Sequence, residues 1–340
     1  MFLNERICFE FRILIGGCVL GFLYKGVSAI RFGGLKCIFK WLISKYKNDD
    51  GFKELVYEKS LKAKENDYPK ILAYIYGIRT GRKLDWNNIR TFNEKVQWLK
   101  LYDNQLIKTQ LSDKYAVRDW VREKIGEQYL IPIYGAWDNF DEIDFDVLPS
   151  KFVLKCNHGN ACNVIVTDKA KMDRVTLKNK FDNWMNTQYA FKNGFQLQYK
   201  DIPRKIVAEE YIEQLDGDLL DYKIHCFGGK PEIIQIIGSR DLDRHTAQAA
   251  FYDSSWNRVS PLTDTYEPYE YELEPPRNLS ELLATAKTLS EDFKYVRVDL
   301  YDLDGKILFG EMTFTPGSGF FECENENTSL FYGNMIKCCD

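Results

Sequence analysis

The 340-residue chain has no excess of positive charge: 46 Lys+Arg stand against 50 Asp+Glu, a net charge of -4 with a pI near 5.7. No whole-molecule basic field would hold it on phosphate backbones, which excludes a nucleic-acid binder. Long apolar runs are missing too. The longest uncharged piece near the N-terminus, Ile13 to Tyr24, is far shorter than the roughly 20 residues of a spanning helix. Glu5 and Glu10 precede it and no clean small-residue cleavage site follows, so a secretory leader is not expected either. The nine cysteines (8, 18, 37, 156, 162, 226, 323, 338, 339) are odd in number and scattered, with neither a zinc spacing nor a disulfide framework. That argues for a reducing compartment, and the adjacent Cys338 and Cys339 read as incidental. There is no internal repeat, and histidine is scarce, at 158, 225 and 245 only.

What is present is material for a core: 45% hydrophobic and 15% aromatic residues over a length that favours about two domains. Residues 1–50 form a basic, aromatic segment. Up to Lys47 it holds eight Lys/Arg against two Glu, with Phe22, Tyr24, Phe32, Phe39 and Trp41 interleaved. Over 11–43 this suits a helix lying in an anionic membrane interface, or one packed on the main body. Residues 51–110 read as helical and amphipathic. There Thr91-Phe92-Asn93-Glu94 is a capping box that aligns Phe92, Val96 and Leu99 on one face. "SDKYAVRDWVREKIG" predicts one helix capped by Ser112 and stopped at Gly126. Beyond Pro149 short β-branched and aromatic runs alternate with helices near 169–188 and 279–292, which gives an α+β domain of largely antiparallel sheets over 111–335.

Three clusters carry chemistry. Lys155 ends "KFVLKC" and precedes a small-residue loop, Asn157-His158-Gly159-Asn160-Ala161, whose backbone N–H groups can curl round an anion. A plain hairpin connection is the alternative, and Cys156, His158 and Cys162 make an incomplete zinc set. Glu209-Glu210-Tyr211-Ile212 closes the next strand. Asp221 and Lys223 then share a face of the one after, where an ion pair is the default.

In "YVRVDLYDLDGKILFGEMTF" alternation sends Val296, Val298 and Leu300 one way, Arg297 and Asp299 the other, while Glu311 and Thr313 share a face. Register decides whether these four meet. A two-residue turn at Asp304-Gly305 sets Asp299 opposite Gly310 and turns Glu311 to the wrong face. A three-residue loop over 303–305 sets Arg297 opposite Glu311, and it is the expected one. Two carboxylates and a hydroxyl are hard oxygen ligands suited to Mg²⁺ held jointly with phosphates, and a guanidinium among them balances phosphoryl charge.

Lys155 with its loop, then "EEYI", then "RVD" followed by "EMTFTPG", resembles in order the ATP-grasp fold, two antiparallel α+β subdomains clasping ATP. Within it, "TFNEKVQWLKLYD", "SDKYAVRDWV", "FVLKCNHG", "DYKIHCFGGKP" and "GEMTFTPGSGF" resemble the teichuronopeptide-biosynthesis (TupA-like) branch, over about residues 75–322.

That resemblance implies a cytoplasmic Mg-ATP-dependent carboxylate–amine ligase working through an acyl phosphate. It would attach an amino acid or other amine to a uronic acid of a bacterial surface polysaccharide such as capsule, with peripheral contact on the inner face of the membrane. It also implies roles. Lys155, Arg118 and Gly159 would contact ATP, Glu209, Glu210, Tyr211 and Ile212 would form the adenine hinge, and Asp221 would meet the ribose. Arg297, His158 and Lys223 would act on the transferred phosphoryl, and Asp299, Glu311 and Thr313 would hold magnesium. Two departures stand out: Thr313 where the superfamily usually has Asn, and "HGNACN" without the branch's usual second glycine. Two other readings compete: a nucleotide-sugar glycosyltransferase using the D-x-D pairs Asp241/Asp243 and Asp302/Asp304, and a catalytically degenerate ATP-binding scaffold.

Overall fold

The computed structural model describes residues 23–38, 41, 51–212, 219–241, 246–263, 265–321 and 325–338. Most of the 1–50 segment, His245, Asp243 of one D-x-D pair and Cys339 lie outside the described residues. The chain divides into two compact units, Met1–Ile89 with Ala190–Phe195, and Arg90–Tyr189 with Gln196–Asp340.

In its described residues the first unit is largely helical. It contains α1 (23–38), α2 (Gly51–Leu61) and α3 (Tyr68–Thr80). Pro69 sits in the first turn of α3, where a missing N–H costs nothing, and left-handed Gly81 ends the helix by donating to Gly77 O at 2.9 Å. Tyr68 meets Phe191 and Phe195 with ring centroids 6.2 and 4.3 Å apart. No described helix is long and apolar enough to cross a membrane.

The second unit opens with α4 (Phe92–Tyr102), whose capping box is formed as its sequence predicts. Glu94 N donates to Thr91 Oγ1 at 3.4 Å, and Thr91 N to Glu94 Oε2 at 2.9 Å. Phe92, Val96 and Leu99 are buried. The segment read as one helix from Ser112 is instead two, α5 (Leu106–Ser112) and α6 (Val117–Lys124). Ser112 is not a cap: it ends α5, and Asp113 closes the turn before α6, its Oδ1 accepting from Tyr115 N and Ala116 N at 2.8 and 3.1 Å, which diverts the backbone between the helices.

Two antiparallel sheets follow. The smaller, ordered β1-β4-β2-β3, is built from β1 (Ile133–Trp137), β2 (Phe152–Cys156), β3 (Asn163–Val166) and β4 (Ile206–Glu210). Its apolar face packs Phe152 and Leu154 on Leu177 and Phe181 of α7 (Arg174–Asn186). A short α8 (Tyr189–Lys192) comes next along the chain.

The larger sheet, ordered β10-β9-β5-β6-β7-β8, comprises β5 (Asp221–Phe227), β6 (Lys230–Asp241), β7 (Thr246–Asp253), β8 (Glu267–Pro268), β9 (Tyr295–Leu303) and β10 (Lys306–Thr313). Among the described strand pairs of this sheet β7–β8 alone is parallel, and an isolated parallel bridge joins Leu130 to Phe309. Ile224, Val296, Val298 and Leu300 bury one face against Leu282, Ala286 and Leu289 of α9 (Leu279–Ser290). The opposite face of β5, β9 and β10 is left to charged side chains.

The β9–β10 connection corrects the expected register. The turn has two residues, Asp304 and Gly305, both left-handed (φ 51° and 95°), and Lys306 pairs with Leu303. Unaltered, that turn would send Glu311 into the core. A β-bulge at Gly310 restores the parity, so that Glu311 pairs with Asp299 and Thr313 with Arg297. Glycine is needed there because a Cβ would lie 3.0 Å from Asp299 O. The expected three-residue loop is one residue too long and the expected Arg297–Glu311 pairing is off by two positions, yet all four side chains still share a face.

After β10, residues 317–319 are successively left-handed (φ 55°, 54° and 64°). A buried stripe on α4 holds this loop. Asn93 exchanges two hydrogen bonds with the Phe321 backbone, Gln97 donates to Ser318 O and Gly319 O, and Lys100 Nζ donates to Ser318 O and Oγ. α10 (Glu326–Met335) then packs against α4.

Candidate active site

The charged face of the large sheet is a row built by strand pairing. Lys223 on β5 pairs with Asp299 on β9, which pairs with Glu311 on β10, and one step along His225 pairs with Arg297 and Arg297 with Thr313. Arg297 grips Asp299 with both prongs, Nε to Oδ1 at 2.6 Å and Nη2 to Oδ2 at 2.7 Å. Nη2 also donates to Thr313 Oγ1 at 3.2 Å, and that hydroxyl donates to Glu311 Oε1 at 3.1 Å. Lys223 Nζ lies 2.6 Å from Asp299 Oδ2 and 3.2 Å from Asp221 Oδ2.

Lys114, in the break between α5 and α6, completes the row. Its Nζ donates to Gly159 O at 2.7 Å and lies 3.2 Å from Glu311 Oε2, so it ties the loop of the small sheet to β10 of the large one. Lys114, Lys223 and Arg297 thus balance Asp221, Asp299 and Glu311.

Burial alone would raise the Glu311 carboxyl, but Lys114, Arg297 and Lys223 outweigh it and lower its pKa to about 2. Burial likewise works against the charged forms of Lys114 and Lys223, yet facing carboxylates raise both above the ordinary lysine value. Glu311, Lys114, Lys223 and Arg297 are therefore ionised at neutral pH.

Two contiguous cavities lie between the sheets. One, of about 200 Å³, is lined by Lys114, Lys155, Lys223, Asp299, Glu311 and the 159–163 loop. The other, of about 420 Å³, is largely apolar, lined by Ile131, Val153, Ile165, Ile212 and Leu219, with Glu209, Glu210, Tyr211 and Asp221 at its edge. Lys155, Asn163 and Tyr301 line both. Lys155 is ion-paired with Glu209 across the small sheet. The cleft therefore gathers three lysines, each set against a carboxylate, at one end and is largely apolar at the other, a profile that suits a ligand with a flat apolar head and a polyanionic tail.

Of the sequence-derived candidates, Lys155, Gly159, Glu209, Glu210, Tyr211, Ile212, Asp221, Lys223, Asp299 and Glu311 line this cleft, and Arg297 and Thr313 adjoin it through Asp299 and Glu311. Arg118 and His158 line neither cavity. Arg118 is buried on α6, its pKa lowered by burial against the pull of Glu209. The His158 ring meets Tyr189 edge-on and its Nε2 lies 3.2 Å from Trp184 O at the end of α7; burial lowers its pKa to about 4. His225 is fully buried beneath the row, its Nδ1 2.8 Å from Tyr295 OH, and burial takes its pKa to about 3.

Sequence reasoning missed Lys114 and Tyr301. Reading 112–126 as one helix gave Lys114 no role, although the Ser-Asp pair before it was the available signal for a break.

Among the described residues no group of three His, Cys, Asp or Glu is arranged to hold a metal alone. Asp299 and Glu311 supply two adjacent carboxylates whose oxygens accept from Arg297, Lys223 and Lys114. A phosphate chain in the cleft would offer those cations other acceptors and leave carboxylate oxygens for a hard divalent ion shared with phosphate, so the donor set fits magnesium held in that way.

A family profile described as TupA-like ATPgrasp matches residues 94–337. Among solved structures the chain is similar to the D-alanine–D-alanine ligase from Helicobacter pylori, at 13% identity and TM-score 0.40 over 73% of this chain and 69% of that one. It is also similar to the D-alanine–D-alanine ligase from Bacillus anthracis complexed with ATP (16%, 0.36, 67% and 63%). A third is the macrocyclase MdnC bound with precursor peptide MdnA from Microcystis aeruginosa MRC (13%, 0.34, 68% and 61%). The chain thus spans about two thirds of the length of these proteins. Among curated proteins none matches in sequence. A family match over most of the chain agrees with the two antiparallel sheets and the charged cleft between them: the chain belongs to the TupA-like ATP-grasp family.

Proposed function

We propose that the protein is an Mg-ATP-dependent ligase that activates a carboxylate as an acyl phosphate and joins it to an amine, with a uronic acid of a surface polysaccharide or its precursor as the carboxylate donor. The observation that carries the nucleotide half is the cleft itself, apolar around Ile131, Val153, Ile165 and Ile212 and lined by Lys114, Lys155 and Lys223 toward its other end. The saccharide half rests on family membership.

Glu210, Tyr211 and Ile212 border the base and Asp221 the ribose. Lys114, Lys155 and the Gly159 loop receive the phosphate chain. Asp299, Glu311 and Thr313 hold magnesium, which when bound supplies charge neutralisation on the phosphates. Arg297, fixed by its two-pronged grip on Asp299, meets the charge that develops on the transferred group. Phosphoryl transfer needs little covalent help, and this is a site made of positioning and fixed charge. Lys223 belongs to the same charge frame. His158, directed at α7, and Arg118, buried on α6, line neither cavity and are given no part in the reaction.

Release of ADP and phosphate that requires both a carboxylate and an amine tests this reading. ATP affinity with unchanged magnesium dependence in Glu311→Ala refutes the metal assignment. The glycosyltransferase alternative draws no support from the D-x-D pairs: Asp302 Oδ1 accepts from Gly305 N at 2.8 Å within the β9–β10 turn, and Asp243 lies outside the described residues.

We also propose peripheral membrane contact through the N-terminal segment. In its described part Leu23, Val27 and Ile30 are 57%, 43% and 44% exposed at helical spacing, and the surrounding sequence is rich in Lys and Arg. Co-flotation with anionic but not neutral vesicles, lost on removal of residues 1–50, is the expected result.

A further inference from the structure

We propose that Asn157 is the positioning residue for the phosphate end of the cleft: it roots both Lys114 and the 157–163 loop that Lys114 grips. The inference rests on the nucleotide reading given above. Asn157 is fully buried at the end of β2 and lines neither cavity. Its side chain joins two other chain segments. Nδ2 donates to Asp113 Oδ1 and to Pro203 O, both at 2.8 Å, and Oδ1 accepts from Lys205 N at 2.7 Å.

Its backbone repeats the connection. Asn157 N donates to Lys205 O at 3.0 Å, and Asn157 O accepts from Lys114 N at 3.1 Å. The lysine that reaches Gly159 O and Glu311 is thus anchored at its own amide by the residue that starts the loop.

Asp113 shares the task. The same Oδ1 that takes the Asn157 amide also takes Tyr115 N and Ala116 N, which turns the chain into α6 and points position 114 toward the cleft. The anchor needs an acceptor for Lys205 N and two donors for Asp113 and Pro203 O, all without formal charge in a dry site. Among short side chains only asparagine meets that demand. Among the described residues none of the hydrogen-bond partners of Asn157 lines the apolar cavity, so its loss should loosen the phosphate end and leave the base end intact.

The test is calorimetric titration of the full-length protein with adenosine, AMP, ADP and ATP, the last two with magnesium. For Asn157→Ala, ADP and ATP affinities should fall by about tenfold or more while adenosine stays within about twofold, since each lost or misplaced charged contact is of that order. Asn157→Asp keeps the acceptor for Lys205 N, loses both donors, and should show the same split. Equal weakening of all four ligands, unchanged ADP and ATP affinity, or loss of the fold in both variants overturns the proposal. A wild-type protein that binds none of the four overturns this proposal together with the reading beneath it.

Discussion

Substituting Gly310 should separate strand register from composition at the site. A Cβ at 310 would sit 3.0 Å from Asp299 O and 3.3 Å from Tyr301 Cε2. The first contact is backbone of β9, which is paired on both sides by β5 and β10 and cannot withdraw. Overpacking of this kind costs about 1–3 kcal/mol, or about five- to 150-fold in the folding equilibrium. The chain can relieve the clash by erasing the bulge, but that turns Glu311 toward Val298 and the core, where an unpaired carboxylate is costlier still.

Gly310→Val should therefore lower the urea midpoint and abolish magnesium-dependent nucleotide affinity together. Deleting Gly310 removes the extra residue and leaves Glu311 opposite Asp299, so it should retain more of that affinity than the valine does. A valine variant with the wild-type midpoint and magnesium dependence, or a deletion worse than the valine, would refute the reasoning.

Two further outcomes follow from buried groups. His225 and His158 are neutral when folded, with pKa values lowered by burial to about 3 and about 4 from 6.5. The unfolded chain takes up these protons first, so the stability they confer is complete above pH 6.5 and is lost as pH falls toward 3. Urea titrations should show about 1–2 kcal/mol per histidine lost between pH 6.5 and 5, and His225→Gln should flatten that slope. At Gly319, φ is 64° and a Cβ would meet Gln97 Nε2 at 2.4 Å. Gly319→Ala should cost about 1–3 kcal/mol in the same assay, and a neutral result would mean that α4 does not hold the loop.

Much of the site was legible because its determinants are local. Strand alternation alone puts Arg297 with Asp299, and Asp221 with Lys223, on faces opposite the Val296-Val298-Leu300 stripe. The capping box at Thr91 and Glu94 is likewise a matter of four neighbouring residues.

What depended on distant partners was not legible. Whether Glu311 faced the cleft turned on a bulge at Gly310, and the reason for glycine there is a carbonyl on another strand. Lys114 lay inside the single helix expected over 112–126, and only the contact of Asp113 with Asn157, 44 residues away, accompanies the break there. His158 stands in the middle of the loop motif, and only the packing of α7 turns its ring from the cleft. By itself the sequence determined which residues could share a face, since side-chain direction follows the local backbone period. The tertiary structure decided which of those faces meet, because register and loop direction are set by contacts between segments that no local period encodes.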